Sequence, residues 1–311
     1  MDLPAARRPA RLDRAGRLDG NSRNPDQQTR VSAVPMNTRP DNIESSTPDA
    51  DSSEPSGRSM KGCAPFFQTV QFMTVLPAPM SPRFDQDWIR AAGRYFPLVG
   101  SLIGATGAGV LLCAHKIWPG AIAAMLAVAT TVIMTGALHE DGLADTADGL
   151  FGGRNRTQRL AIFKDSRLGT YGAVALCLTF GLRVAALASA PPMVGAAALI
   201  AAHGLARASL LVVMAFLPYG GDIATARTVY PERKFSAATM VLAGVMAVLA
   251  FAWLAAIAPA AAALGLTLAG SLAIAPPLAA WRLIGGYTGD ILGATEQMVE
   301  VGVLLGAAGL L

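Results

Sequence analysis

Residues 119–150 read PGAIAAMLAVATTVIMTGAL followed by HEDGLADTADGL. The twenty residues from Pro119 to Leu138 carry no ionisable side chain. That is the length a helix needs to cross about 30 Å of hydrocarbon at about 1.5 Å per residue. The next twelve hold His139, Glu140, Asp141, Asp145 and Asp148. An apolar span that runs into carboxylates reads as a transmembrane helix carrying an acidic segment to the membrane surface. Asp141, Asp145 and Asp148 stand at i, i+4 and i+7, which predicts one common helix face. Carboxylates brought together repel each other unless a cation lies between them. With oxygen ligands and neither Cys nor a paired His, Mg²⁺ suits the group better than Zn²⁺. The plainer reading is a solvated helix start with acids favoured by the helix dipole; the sequence on either side speaks against it.

Composition agrees with a membrane bundle. Hydrophobic residues make up 53% of the chain and charged residues only 15%, with a mean hydropathy of +0.43. Soluble domains carry about a quarter charged residues. The first 60 residues are unlike the rest: nine Arg and nine Asp or Glu, with Ser and Pro and no apolar run. They predict a disordered N-terminal extension over 1–60, with neither a secretory signal nor a core of its own. Residues 61–311 form the membrane domain, and the net charge of +4 arises there. No basic stripe interleaved with aromatics is present, so nucleic acid is excluded as a partner. Cys63, Cys113 and Cys177 have neither metal nor redox spacing and read as small apolar packing residues.

The fold class is therefore all-α: a polytopic bundle of about seven transmembrane helices. Spans are expected near 96–114, 119–138, 172–190, 194–217, 237–257, 259–280 and 298–311, the last one short. Pro276-Pro277 should kink or end the sixth. Residues 61–80 read as a short helix, either at the membrane surface or capping the bundle, and Asp85 to Arg94 as a polar connector. Lys and Arg crowd the loops on one side: 61–95, 139–171, the loop with Arg227, Arg233 and Lys234, and Arg282. The other side offers Lys116 alone. That bias places the N-terminal side, the acidic stretch and the Asp290 region in the cytoplasm.

Three further segments carry chemistry. Phe151-Gly152-Gly153-Arg154-Asn155-Arg156 and Lys164-Asp165-Ser166-Arg167-Leu168-Gly169-Thr170-Tyr171-Gly172 combine glycines, cations and hydroxyls, as a phosphate site requires. Acids for a metal beside cations for phosphate suggest phosphoryl chemistry. Gly285-Gly286-Tyr287-Thr288-Gly289-Asp290 surrounds one carboxylate with glycines, and Glu296 and Glu300 follow on one helix face. Those acids would complete a two-metal or diphosphate site. Arg183 and Arg207 fall at similar depth inside two spans, where an ionisable group usually faces the bundle interior and has a function. His115 and His203 read as structural.

These residues resemble a known family. His139 to Leu150, Lys164 to Gly172, and Thr288-Gly289-Asp290 with Gly293-Ala294 and Glu296 are similar in order and spacing to cobalamin synthase, the adenosylcobinamide-GDP ribazoletransferases of bacterial and archaeal inner membranes. Pro97-Leu98-Val99-Gly100 and Arg207 fit as well. The likeness runs from about residue 61 to the C-terminus. Glu140 departs from the pattern, which has an apolar residue between the His and the Asp, and residues 1–60 have no counterpart.

The resemblance implies a Mg²⁺-dependent transferase of a multi-pass inner membrane protein, with its site facing the cytoplasm. Adenosylcobinamide-GDP and α-ribazole, or its 5′-phosphate, would give adenosylcobalamin or its phosphate and GMP. Expected partners are those substrates, membrane lipid and other cobalamin-assembly enzymes. For that reaction the residues suggest roles. Asp141, Asp145 and Asp148 would hold Mg²⁺, and Lys164 and Arg167 would neutralise phosphate oxygens. Asp165 or Asp290 would orient or deprotonate the acceptor. His139, Ser166, Arg207 and Thr288 complete the expected substrate-binding set.

Other membrane activities fit less well. A CDP-alcohol phosphotransferase expects Ala and Arg where Asp145 and Thr146 stand. A prenyltransferase expects two matching aspartate repeats, and a transporter expects inverted repeats. Deleting residues 2–59 should leave membrane insertion and turnover unchanged, as membrane fractionation and product formation would report.

Overall fold

The computed structural model describes residues 63–79, 88–222 and 235–309. The expectation for residues 1–60 lies outside them. The described chain is helical. A short α1 (Ala64–Met73) precedes α2 (Trp88–Ala92), a 3₁₀ turn (Gly93–Tyr95) and α3 (Phe96–Ala114). Then come α4 (Gly120–Thr135), α5 (Leu138–Gly152), α6 (Arg156–Ile162), α7 (Thr170–Ser189) and α8 (Pro192–Phe216). The chain closes with α9 (Ala237–Ile257), α10 (Pro259–Ala273), α11 (Ala275–Ile284) and α12 (Gly289–Gly309). Six helical segments are long and apolar enough to cross a membrane, and α4 with α5 makes a seventh if that bent pair is one span.

Local sequence sets the helix ends. Pro97, Pro192 and Pro259 occupy first-turn positions, where a missing N–H costs nothing. Ser236 accepts a hydrogen bond from Thr239 N at 3.1 Å and starts α9. Packing then rests on glycine. A side chain at Gly100 would strike the backbone of His203, so α3 lies directly on α8. A side chain at Gly302 or Gly306 would strike the backbone of α10. Small residues let membrane helices approach this closely, and dispersion then holds them. The result puts α12 at the centre, with 83% of its apolar window buried.

Four expectations need correction. The span 119–138 stops at Thr135. Gly136 and Ala137 both take left-handed backbone, with φ of 62° and 58°. Ala137 N donates to Val132 O at 3.0 Å, closing the helix end, and α5 leaves at 89°. An alanine in this conformation costs about 1–2 kcal/mol. The last span begins at Gly289 rather than 298, because Asp290, Glu296 and Glu300 lie within the helix and depress its hydropathy without ending it. The connector 85–94 is helical from Trp88 onward and extends the first span to 27 residues. The cysteines are exposed free thiols. An apolar residue in a membrane bundle can face outward at no cost, so apolarity alone does not predict inward packing.

Of the two readings of the first short helix, α1 packs on the bundle: Met73 is fully buried, Thr69 donates to Ala92 O at 3.1 Å, and Phe72 meets Trp88 edge-on. The Pro276-Pro277 break is confined to Ile274, between α10 and α11. Gly306→Leu should destabilise the fold by about 1–3 kcal/mol through overpacking. Gly109→Leu, where a side chain meets nothing within 4 Å, should be neutral. Thermal unfolding in detergent compares the two.

Candidate functional site

The acidic helix α5 turns its face gradually inward. Asp141 is exposed, Asp145 half-buried and Asp148 buried. Both oxygens of Asp148 are engaged: Gly169 N donates to one at 2.7 Å and Gly172 N to the other at 2.9 Å. A side chain at either glycine would collide with that carboxylate. The Gly169-Thr170-Tyr171-Gly172 run thus closes on Asp148, which anchors the amino end of α7. This differs from the expected trio around one ion. Residues seven apart rise about 10 Å along a helix, so a shared face does not bring their carboxylates together. Among the described residues, the acids of α5 do not form a convergent three-ligand group.

The Asp290 turn lies against α5. A side chain at Gly142 would come within 3.0 Å of Asp290 O and 3.1 Å of its Cα. One at Gly293 would come within 3.1 Å of His139 O. The two glycines cross, and the first turn of α12 rests on the backbone between Asp141 and Asp145. Thr288 Oγ1 donates to Asp290 Oδ2 at 3.3 Å. The turn is fixed from behind: Tyr287 N donates to Pro218 O at 3.0 Å, and Gly220 N donates to Tyr287 O at 2.8 Å.

The cations of the phosphate-like segments divide. Arg156 donates from Nε to Ile284 O and from Nη2 to Gly220 O, both at 2.9 Å. It clamps the loop before α6 onto the Asp290 turn and is spent on carbonyls. Lys164 is exposed, 3.9 Å from Asp222, and Ser166 is exposed beside it. Arg167 grips Asp165 with both ends of its guanidinium, at 2.9 and 2.6 Å, and is itself 87% exposed. That hydrogen bonding holds the Asp165 carboxyl down to about 2. A carboxylate held so low is a weak proton acceptor near neutral pH.

A second polar constellation is enclosed in the bundle. Arg183 donates to Glu140 Oε1 at 3.0 Å and to Gln297 Oε1 at 2.8 Å, and pairs with Glu300 Oε2 at 2.9 Å. Arg207 donates to Glu300 Oε1 at 2.5 Å and pairs with Glu296. His203 Nδ1 lies 2.5 Å from Glu300, and His139 Nδ1 lies 3.4 Å from Arg207 Nη2. All of these side chains are at least nine-tenths buried. Glu296 and Glu300 therefore neutralise arginines instead of completing a surface metal site. His139 and Arg207, expected to bind substrate, meet protein groups here. Among the described residues, His203, Glu296 and Glu300 are the group whose ligand atoms converge, and Arg207 Nη1 already lies among them.

The sequence reading missed His203, Glu140 and Gln297 as members of this cluster. The i, i+4 spacing of His203 and Arg207 was the available signal. Asp148→Asn should cost about 1.5–3 kcal/mol, since it removes a charged acceptor from one of two amides. Hydrogen exchange should quicken at the Gly169 and Gly172 amides and stay unchanged along α12.

A profile of the family described as cobalamin-5-phosphate synthase matches residues 65–308. The adenosylcobinamide-GDP ribazoletransferase of Leptothrix cholodnii is 40% identical over 246 residues, 78% of this chain and 93% of that protein. Proteins of the same name are 42% identical in Bradyrhizobium diazoefficiens, over 77% of this chain and 91% of theirs, and 42% identical in Azorhizobium caulinodans, over 76% and 92%. No solved structure matches.

Proposed function

The chain belongs to the cobalamin-5-phosphate synthase family and is a transferase of cobalamin synthesis, and from that membership we propose its reaction and its site. It transfers the adenosylcobinamide-phosphate group of adenosylcobinamide-GDP to α-ribazole or α-ribazole 5′-phosphate. A ribose hydroxyl that is free in both acceptors, and so not the 5′ oxygen already esterified in α-ribazole 5′-phosphate, gives up its proton and bonds through oxygen to the phosphorus next to cobinamide. The bond from that phosphorus to the bridging oxygen breaks, and GMP leaves. The observation that carries the site is the seating of the Asp290 turn on Gly142, between Asp141 and Asp145.

The donor set fits Mg²⁺: Asp141 exposed and Asp145 half-buried, one helical turn apart, both oxygen donors. Bound there, Mg²⁺ would offset charge on the diphosphate. Asp148 supports this site from behind by fixing α7 to α5. Lys164 and Arg167, exposed at the same end, supply positive charge for the nucleotide phosphates. Arg167 must exchange Asp165 for phosphate to do so. Asp290, in the turn seated on Gly142 beside Asp141 and Asp145, is the proton acceptor for the attacking ribose hydroxyl. His139 acts through its backbone contact with Gly293, and Arg207 through Glu296 and Glu300, both holding α12 in register.

The loop charge bias supports a cytoplasmic opening in the inner membrane, the compartment where nucleotide-linked substrates are made. Asp145→Asn should lower transfer by more than about 100-fold at every Mg²⁺ concentration. Conversion of adenosylcobinamide-GDP and α-ribazole to adenosylcobalamin by the purified protein measures it. Near-normal turnover would remove Asp145 from the site, and no product from the unaltered protein would overturn the reaction.

A further inference from the structure

The outer wall of the bundle carries a groove of about 610 Å³. One side is the carboxyl half of α8, with Val212 and Phe216. The other is the break between α10 and α11, with Gly270, Ile274, Leu278 and Trp281, and Thr295 of α12 forms the floor. The groove exists for two reasons. Gly270 has no side chain, and a Cβ built there meets nothing within 4 Å. The helical turn is also interrupted at Ile274, between α10 and α11, in the same wall.

Its lining is almost wholly apolar, with the Trp281 indole N–H at one end as its donor. Ser209 donates to Ala206 O at 2.6 Å and Thr295 to Ile291 O at 2.7 Å, each within its own helix. Phe216 is 82% exposed, Ile274 60% and Trp281 57%. A sugar or nucleotide would leave its polar groups unpaired against such a surface. A hydrocarbon chain would not. At the end nearest the Gly285 turn stands Arg282, exposed and one helical turn from Leu278 on the same face. Among the described residues no acid forms an ion pair with it. Trp281 and Arg282 together are the residue types that settle where hydrocarbon meets headgroups.

We propose that this groove binds one acyl chain of an anionic phospholipid, with the lipid phosphate held by Arg282. Charge complementarity with Arg282 commits the headgroup to a net negative charge, and the lining commits the tail to hydrocarbon. The proposal stands apart from the transfer site and does not depend on it.

The experiment titrates the full chain, purified in neutral detergent, with phosphatidylglycerol and with phosphatidylcholine of matched chains. Native mass spectrometry counts the lipids retained. The unaltered protein should keep one phosphatidylglycerol in preference to phosphatidylcholine. Gly270→Phe should fill the groove and reduce binding of both about tenfold. Arg282→Gln should bind phosphatidylcholine normally and lose about fivefold in preference for phosphatidylglycerol. Gly181→Phe, on α7 where a Cβ also meets nothing within 4 Å, should bind like the unaltered protein. Unchanged binding by a folded Gly270→Phe overturns the proposal, as does a protein dimer that Gly270→Phe dissolves, since a second copy would then be the occupant. Should Gly270→Phe not purify, Arg282→Gln still decides: its side chain is exposed, and an unchanged preference there also overturns the proposal.

Discussion

Two guanidiniums buried among three carboxylates hold this bundle in register. Arg183 joins Glu140 of α5 to Glu300 of α12, and Arg207 joins α8 to Glu296 and Glu300 of the same helix. None of these groups tolerates hydrocarbon alone. Removing one partner of a buried pair leaves an uncompensated charge, which costs about 3–5 kcal/mol. The helices must therefore meet with their polar atoms matched, and that matching decides where the surface groups go. Asp141 follows Glu140 directly, and Asp145 lies less than two turns beyond it. Asp290 begins α12 less than two turns before Glu296. The position of the candidate site at the membrane surface is thus set by pairings at depth.

The spans were legible because hydropathy over some twenty residues is a strong signal, and Arg183 and Arg207 were legible because cations are rare inside spans. The two share Glu300, which agrees with the common depth read from their spacing. What escaped was decided by contacts between distant residues. Nothing near Glu296 announces an arginine, so the span was drawn only from residue 298, although Glu296 and Glu300 read as one helix face. Nothing near Gly136 marks it as a corner rather than one more small residue of a span. Asp148 looked like its two neighbours in spacing, yet its carboxylate is claimed by amides more than twenty residues away. Arg156 looked like a phosphate ligand, and its carbonyl partners lie 64 and 128 residues along the chain.

The glycines of the motifs have two distinct uses. Gly169 and Gly172 clear space for a carboxylate, whereas Gly142 and Gly293 let two backbones cross. Among the described residues, Gly136 and Gly285 are the glycines needed for their left-handed conformation. A glycine-rich signature in such a bundle therefore reports close approach more often than a ligand.

The corner at Gly136 and Ala137 also fixes an order of assembly. α4 alone has 16 residues, about 24 Å of helix, and α5 enters the protein with Glu140 unpaired. Its first partner, Arg183, lies 43 residues downstream, and its second, Gln297, lies 157. At about 5–20 residues per second of synthesis the second partner is about 8–30 s away. Arg183 of α7 can meet Glu140 earlier, but Arg183 also needs Gln297 and Glu300, so the cluster closes only when α12 is made. The last helix made is the one that completes it, so nascent chains stopped before α12 carry a complete acidic motif and no site.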